Sequence, residues 1–273
     1  MIINCKGNLI DLNTPKVMGI LNITNDSFYD GGRFINGETI LAHVEKMLSD
    51  GADIIDIGGY SSRPGAPDVS EAEEMHRVIP VIQMLVSTYP DIIISVDTFR
   101  SNIAIESIEK GASIINDISA GNLDAKMFQT VAALQIPYIM MHMRGTALTM
   151  QQLTQYTDIV SDLLFYFSEK ISIARDFGIN DLILDPGFGF AKTLEQNYEV
   201  LKKLDLFAMT GLPILAGFSR KSMVYKPLES DAESALNGTS VLNTLALSKG
   251  AKILRVHDVK EAVECVKLFN LIA

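Results

Sequence analysis

The chain has 273 residues, 48% of them hydrophobic, and a formal net charge of −10. That hydrophobic fraction excludes a disordered chain, and the acidic balance argues against a general binder of nucleic acid or anionic membranes. The two cysteines, Cys5 and Cys265, stand at opposite ends without metal-type spacing, which argues against a structural zinc or disulfide framework. Met1 to Lys16 lack a basic-then-apolar leader pattern, and no apolar run is long enough to span a bilayer, so a cytoplasmic protein with one domain over residues 1–273 is expected.

In chain order, Ile2 to Leu12 predict a short hairpin turning at Lys6-Gly7-Asn8. Val17 to Ile23 form a buried run, and a helical pattern from Glu38 to Asp50 follows, closed by Gly51. That unit then repeats. Strands are expected at 54–57, 92–96, 113–115, 138–141, 182–184, 214–216 and 252–254. Helices are expected after Ser70, where Ser70 and Glu73 have capping-box spacing, to about Lys110, near 124–134, over 157–177, and from Asp258 to about Leu271. This alternation over ~250 residues predicts an α/β fold, a single (β/α)8 TIM barrel with a short N-terminal β-hairpin. The alternative is a doubly wound open sheet, but no Gly-x-Gly-x-x-Gly opens the first helix.

The most informative stretch is Leu182 to Lys192, where an apolar run ends at Asp185 and Pro186 stops the strand. Gly187 and Gly189 allow a sharp turn, and Phe188 and Phe190 ride on that loop. In a barrel the C-terminal strand ends share one mouth. There the chain places Asn22, Asp56, Arg63, Asp97, Asn116, His142, Asp185, Lys221, Arg255 and His257, whereas His43 and His76 fall within helices. Asp97, Asn116 and Asp185 suit the N–H edge of a heterocycle. Arg63, Arg255 and His257, with Ser61 and Ser62, suit a phosphate-type group. Asn22 offers a neutral oxygen to a Mg2+ already held by phosphates, and Ser219-Arg220-Lys221-Ser222 open a short helix suited to a second anion such as a carboxylate. The expected ligand is a flat polar ring joined to a phosphate leaving group, with room for an anionic second substrate.

Eight segments carry a resemblance: Gly19 to Thr24 with Asp26-Ser27-Phe28, Ser62 to Ala66, Ser95 to Thr98, Ile115 to Asp117, Met141 to Met143, Asp185 to Phe190, Ser219 to Ser222 and Arg255 to Asp258. In order and over nearly the whole chain, they resemble the dihydropteroate synthase family of pterin-binding enzymes. The resemblance implies a folate-pathway transferase. It would join 6-hydroxymethyl-7,8-dihydropterin diphosphate to 4-aminobenzoate by dissociative substitution, with Mg2+ as cofactor, as a homodimer and a sulfonamide target. It places Asp97, Asn116, Met140, Asp185, Phe190, Gly217, Lys221 and Arg255 around the pterin, with Arg255 stacked on it. Asn22, Ser62, Arg63, Arg255 and His257 go to the diphosphate, and Asn22 to the metal. Phe28, Pro64, Phe190, Lys221 and Ser222 line the 4-aminobenzoate pocket, and Arg63, Lys221, Arg255 and His257 are the residues implied in catalysis.

Four positions depart from the family pattern: Asn25 stands for proline, Tyr60 for glutamate, Ser62 for threonine and Ala191 for glycine. Ser62 keeps the hydroxyl, Ala191 requires a negative φ, and Asn25 and Tyr60 change the two mouth loops. Two other readings share the barrel. A pterin-dependent methyltransferase would not need the Ser62-Arg63 and Arg255-His257 anion cluster, and a non-catalytic pterin-binding module would not need to retain the diphosphate ligands.

Overall fold

A computed structural model describes residues 1–23, 37–60, 69–146 and 148–272. Asn25, Phe28, Ser62, Arg63 and Pro64 lie outside the described residues. The hairpin strands β1 (Ile2–Cys5) and β2 (Asn8–Asp11) pair antiparallel. They turn at Lys6 and Gly7, whose φ values of 53° and 96° are the left-handed pair that matches strand twist.

The remaining strands are β3 (Lys16–Asn22), β4 (Ile54–Gly58), β5 (Ile94–Asp97), β6 (Ile114–Asp117), β7 (Tyr138–Met141), β8 (Leu182–Asp185), β9 (Ile214–Ala216) and β10 (Ala251–Val256). They close into a parallel barrel in the order β10-β3-β4-β5-β6-β7-β8-β9. Strands β4 to β9 are buried at every position, as strands covered on both faces must be.

Helices α1 (Gly37–Ser49), α2 (Glu71–Thr88), α3 (Ser101–Glu109), α4 (Met127–Leu134), α5 (Ile159–Asp176), α6 (Leu194–Lys202), α7 (Ser222–Tyr225), α8 (Leu236–Ser248) and α9 (Val259–Phe269) form the outer layer. The α2 cap is half of the expected box. Ser70 Oγ accepts from Glu73 N at 3.2 Å, while the Glu73 carboxylate pairs with Arg77 instead of turning back to the cap. No helix is expected from the sequence over α6 or α8. α6 carries a complete capping box between Thr193 and Gln196. In α8 the signal is blurred by Gly238, which is there for closeness, since a Cβ would stand 2.7 Å from Val224 Cγ1.

Two apolar layers result. Outward residues such as Val17, Ile55, Val96, Tyr138 and Leu184 pack with the helices. Inward residues Met18, Ile54, Ile114, Ile139, Ile183, Leu215 and Ile253 pack against Ile3, Cys5, Ile10 and Leu12 of the hairpin. The hairpin therefore closes one end of the barrel. Lys6 Nζ donates to Ile108 O at 2.8 Å and Asn4 N donates to Asp181 Oδ2 at 3.0 Å, tying it to the last turn of α3 and to the loop before β8. With that end sealed by apolar side chains, polar chemistry is confined to the C-terminal ends of the strands.

Candidate functional site

Strand alternation selects the side chains that face the mouth. Asp56 shares the inward face of β4 with Ile54, Asn116 that of β6 with Ile114, Asp185 that of β8 with Ile183, and Arg255 that of β10 with Ile253. The residues meet as one network. Arg255 Nε donates to Asp56 Oδ2 at 2.6 Å and Arg255 Nη2 to Asp97 Oδ2 at 2.8 Å. Asn116 Nδ2 donates to Asp56 Oδ2 at 3.1 Å, and Tyr60 Oη donates to Asp97 Oδ1 at 2.8 Å. Burial pushes the Asp97 carboxyl up to about 7, opposed by Arg255 and reinforced by the Asp56 charge. Two carboxylates thus share one guanidinium; Asn116 adds a second donor to Asp56 Oδ2 and Tyr60 one to Asp97 Oδ1, while Asp56 Oδ1 is buried without a partner among the described residues.

The loop after β8 is held at each turn. Asp185 Oδ1 accepts from Gly187 N at 2.7 Å, and Gly189 N donates to Asn197 Oδ1 at 2.7 Å. Gly187 has φ 69°, and a Cβ there would stand 2.2 Å from His142 O, so only glycine fits. Lys192 was not singled out from sequence, yet it is the peg of this loop. Its ammonium donates to Gly187 O at 2.8 Å and Phe190 O at 3.0 Å, and lies 3.2 Å from His142 Nδ1. Burial lowers Lys192 to about 7 and His142 to about 2, so His142 is a neutral acceptor at Nδ1. A lysine following a Gly/Phe loop carries no sequence signal of such a role. Replacement by methionine keeps the stem and removes three donors. Lys192→Met is expected to cost about 2 kcal/mol, read as a fall in Tm of ~4–8 °C by calorimetry.

The negative φ expected at Ala191 is wrong: φ is 48°. The surrounding bonds impose it, since Ala191 O accepts from Tyr156 Oη at 2.8 Å while Lys192 grips the preceding carbonyl of Phe190. Ala191→Gly is therefore expected to be within ~0.5 kcal/mol of neutral, because relief of left-handed strain offsets the lost methyl and the gain in unfolded-state entropy. Ala191→Val should cost about 2 kcal/mol or more. Urea titration giving the reverse order would show that this backbone is not left-handed.

Lys221 reaches the same mouth. Its Nζ donates to Phe188 O at 2.7 Å and lies 4.8 Å from the Phe190 ring centroid. Burial lowers it to about 8, with Asp185 opposing and Arg255 reinforcing the shift. Arg220, with φ 57°, turns the other way to pair with Asp258 at 2.7 Å. Gly217 leaves bare backbone between two cations: a Cβ would lie 3.7 Å from Arg255 Cβ and 3.8 Å from Lys221 Nζ. His257 N donates to Ser219 Oγ at 3.1 Å, and its Nδ1 lies 3.0 Å from the same oxygen.

Asp97, Asn116, Asp185, Phe190, Gly217, Lys221 and Arg255 are thus brought together, with His257 just past β10 and Ser222 opening α7. Asn22 ends β3 on the inward face, exposed at the rim. Met140 is a correction. It packs with Tyr138 in the layer beneath the helices, and period-two alternation puts Met141 on the inward side with Ile139, against Ile118, Met143 and Ala191. His142 is also removed from the mouth, buried behind the β8 loop beside Tyr166. Asp56 stood at a strand end without an assigned role; it is the carboxylate on which Arg255 and Asn116 converge. Among the described residues no group of three His, Cys, Asp or Glu side chains could hold a metal ion, and no helix is long and apolar enough to cross a membrane.

Residues 18–257 match the pterin binding enzyme family. The chain is 41% identical to a dihydropteroate synthase of Haemophilus influenzae, covering 97% of this chain and 96% of that one. It superposes with a TM-score of 0.92 on a Yersinia pestis dihydropteroate synthase crystallised in complex with a sulfonamide drug, at 41% identity over 100% of this chain and 98% of that one. A Xanthomonas albilineans dihydropteroate synthase with 4-aminobenzoic acid superposes with a TM-score of 0.91 at 37% identity, covering 99% and 97% of the two chains.

Proposed function

The chain belongs to the pterin binding enzyme family, among its dihydropteroate synthases, and from that premise we propose how its site acts. It joins 6-hydroxymethyl-7,8-dihydropterin diphosphate to 4-aminobenzoate, releasing pyrophosphate and 7,8-dihydropteroate. The observation that carries this reading is the inward ring of Asp56, Asp97, Asn116 and Asp185, closed by Arg255 and Lys221 in a mouth whose far end is sealed. Neutral N–H donors of a pterin edge find acceptors at Asp97, Asn116 and Asp185. No hydrogen bond among the described residues engages Asp185 Oδ2, the oxygen that a ligand would use.

Arg255 is fixed along its Nε/Nη2 edge by two carboxylates, which leaves its face and Nη1 for the ring and the departing diphosphate. His257, whose backbone N–H and ring Nδ1 both meet Ser219 Oγ, is the imidazole proposed to face the same diphosphate. Ser62 and Arg63 supply the other donors in this reading. The methylene–oxygen bond breaks first and its electron pair leaves with pyrophosphate. The aniline nitrogen then attacks the ring-stabilised cation and loses a proton. Such a substitution needs oriented charge at the leaving group and no covalent nucleophile. Phe28, Pro64, Phe190, Lys221 and Ser222 are the residues the family resemblance assigns to 4-aminobenzoate in this reading. The Lys221 ammonium, held over Phe190, is placed for the carboxylate or the ring.

Asn22 fits one position of a Mg2+ shell, being a neutral hard oxygen at the exposed rim; the phosphates would complete the shell. When bound, the ion would offset diphosphate charge. A homodimer is proposed from the same family likeness, with the exposed Val241 and Leu245 of α8 as the face to be covered. Incubating the protein with MgCl2 and both substrates should form dihydropteroate and pyrophosphate in equal amounts. Absence of dihydropteroate would overturn the proposal.

A further inference from the structure

We propose that Tyr60 is a positioning residue for the pterin ring: its hydroxyl locks the Asp97 carboxylate in the orientation that accepts the ring's N–H edge. The inference rests on the reading of Asp97 as a pterin acceptor.

The phenol is braced from three sides. Tyr60 follows Gly59, whose carbonyl accepts from Arg77 Nη1 at 2.9 Å, and a Cβ on Gly59 would lie 2.6 Å from Val78 Cγ2. The backbone before Tyr60 is therefore seated against α2. The Tyr60 ring meets Phe99 edge-on, with centroids 5.2 Å apart and planes at 82°. Phe99 lies two residues beyond Asp97, so one strand end supplies both the acceptor and the wall for the ring that donates to it. The hydroxyl then reaches Asp97 Oδ1 at 2.8 Å.

Asp97 receives one donor on each oxygen, Tyr60 on Oδ1 and Arg255 Nη2 on Oδ2 at 2.8 Å. A carboxylate gripped at both oxygens cannot rotate about its Cβ–Cγ bond without breaking a charge-assisted bond. Each oxygen still keeps a second lone pair for a ligand N–H. With Arg255 alone, the group could swing about its Oδ2 contact and misdirect Oδ1. Burial and the Asp97 charge raise the Tyr60 phenol well above its ordinary range, so it stays a donor at neutral pH. A pre-oriented acceptor binds without ordering cost, which is where the affinity gain arises.

The test is calorimetric titration with 6-hydroxymethylpterin on wild type, Tyr60→Phe and Asp97→Asn, with Tm and the KM for 4-aminobenzoate measured on the same proteins. Tyr60→Phe removes one oxygen and keeps the edge-on packing. It is expected to weaken pterin binding about tenfold, with the 4-aminobenzoate KM within about twofold of wild type. A purely structural tyrosine would instead lower Tm and shift both constants together, and that result overturns the proposal. Weakening in Asp97→Asn with unchanged or tighter binding in Tyr60→Phe also overturns it, tighter binding marking the hydroxyl as a competitor for Asp97. Unchanged binding in Asp97→Asn removes Asp97 from the pterin site and the inference with it.

Discussion

Arg255→Ala is expected to destabilise the fold by about 3 kcal/mol at neutral pH and to lower kcat by roughly a hundredfold or more. The stability loss follows from what the guanidinium leaves behind. Asp56 is fully buried and Asp97 is 7% exposed, and in the wild type both carboxylates direct an oxygen at Arg255. Removing the cation leaves two carboxyl groups in one low-dielectric site, where the cost is the uncompensated charge, or the proton Asp97 must take up to cancel it, and not the lost pair itself. Asp56→Asn in the Arg255→Ala background should recover part of the loss by removing one of them.

The effect has a pH signature. In the folded state Asp97 stands at about 7, above the ordinary carboxylate value near 4. A group whose folded pKa is raised binds a proton in the native state that the unfolded chain has released, so its contribution to stability falls as pH rises between those two values. Without Arg255, which opposes the rise, that window should extend above 7. The difference in unfolding free energy between wild type and Arg255→Ala should accordingly be smaller at pH 5 than at pH 8. A difference that is flat across that range would mean that Asp97 is not the group left uncompensated. Activity supplies a separate reading of the same side chain. If the bond to the leaving group breaks before attack, wild type with Mg2+ and the pterin diphosphate should release pyrophosphate slowly without 4-aminobenzoate, and Arg255→Ala should suppress that release. Strict dependence of release on 4-aminobenzoate would favour direct displacement.

The barrel and its mouth were legible because two local signals recur. Apolar runs end in a polar residue and alternate with helical stretches, so Asp97, Asn116, Asp185 and Arg255 fall at strand ends on the sequence alone. Partners across the barrel were not legible. Nothing local links Arg255 to Asp56, since their meeting depends on closure between β10 and β3. Met140 shows a second limit: in a strand buried on both faces hydrophobicity does not alternate, and Met140 and Met141 differ only in register. Ala191 shows a third. Side-chain size argued for a negative φ, but the bonds from Tyr156 and Lys192 outweigh the one to two kcal/mol of left-handed strain. α8 carries no clear helical signal because its inner face is built around Gly238 and Asn243, which interrupt the apolar period.

Asp185→Asn should weaken pterin binding by roughly ten- to a hundredfold while leaving the loop after β8 in place. The two oxygens of Asp185 have separate tasks. Oδ1 accepts from Gly187 N at 2.7 Å and sets the left-handed turn; among the described residues Oδ2 carries no hydrogen bond. An asparagine keeps a carbonyl oxygen, which the Gly187 N–H will select, so the amide nitrogen is forced into the Oδ2 position. A donor then stands where a pterin N–H needs an acceptor. The loss of a charged hydrogen bond, ~1.5–3 kcal/mol, corresponds to that range of affinity. Lys221 changes too, because Asp185 is the largest influence holding its ammonium up against burial. Its pKa should fall below the wild-type value of about 8, so that more of it is neutral at physiological pH. If Lys221 also faces the carboxylate of 4-aminobenzoate, the KM for that substrate should rise with increasing pH more steeply in Asp185→Asn than in wild type. Calorimetry with 6-hydroxymethylpterin reads the first effect and KM measured from pH 6.5 to 8.5 reads the second. Asp185→Ala, which surrenders the Gly187 contact as well, should lose Tm in addition to affinity. Pterin binding that Asp185→Asn leaves unchanged would take Asp185 out of the ring's edge and reduce it to the anchor of its own loop.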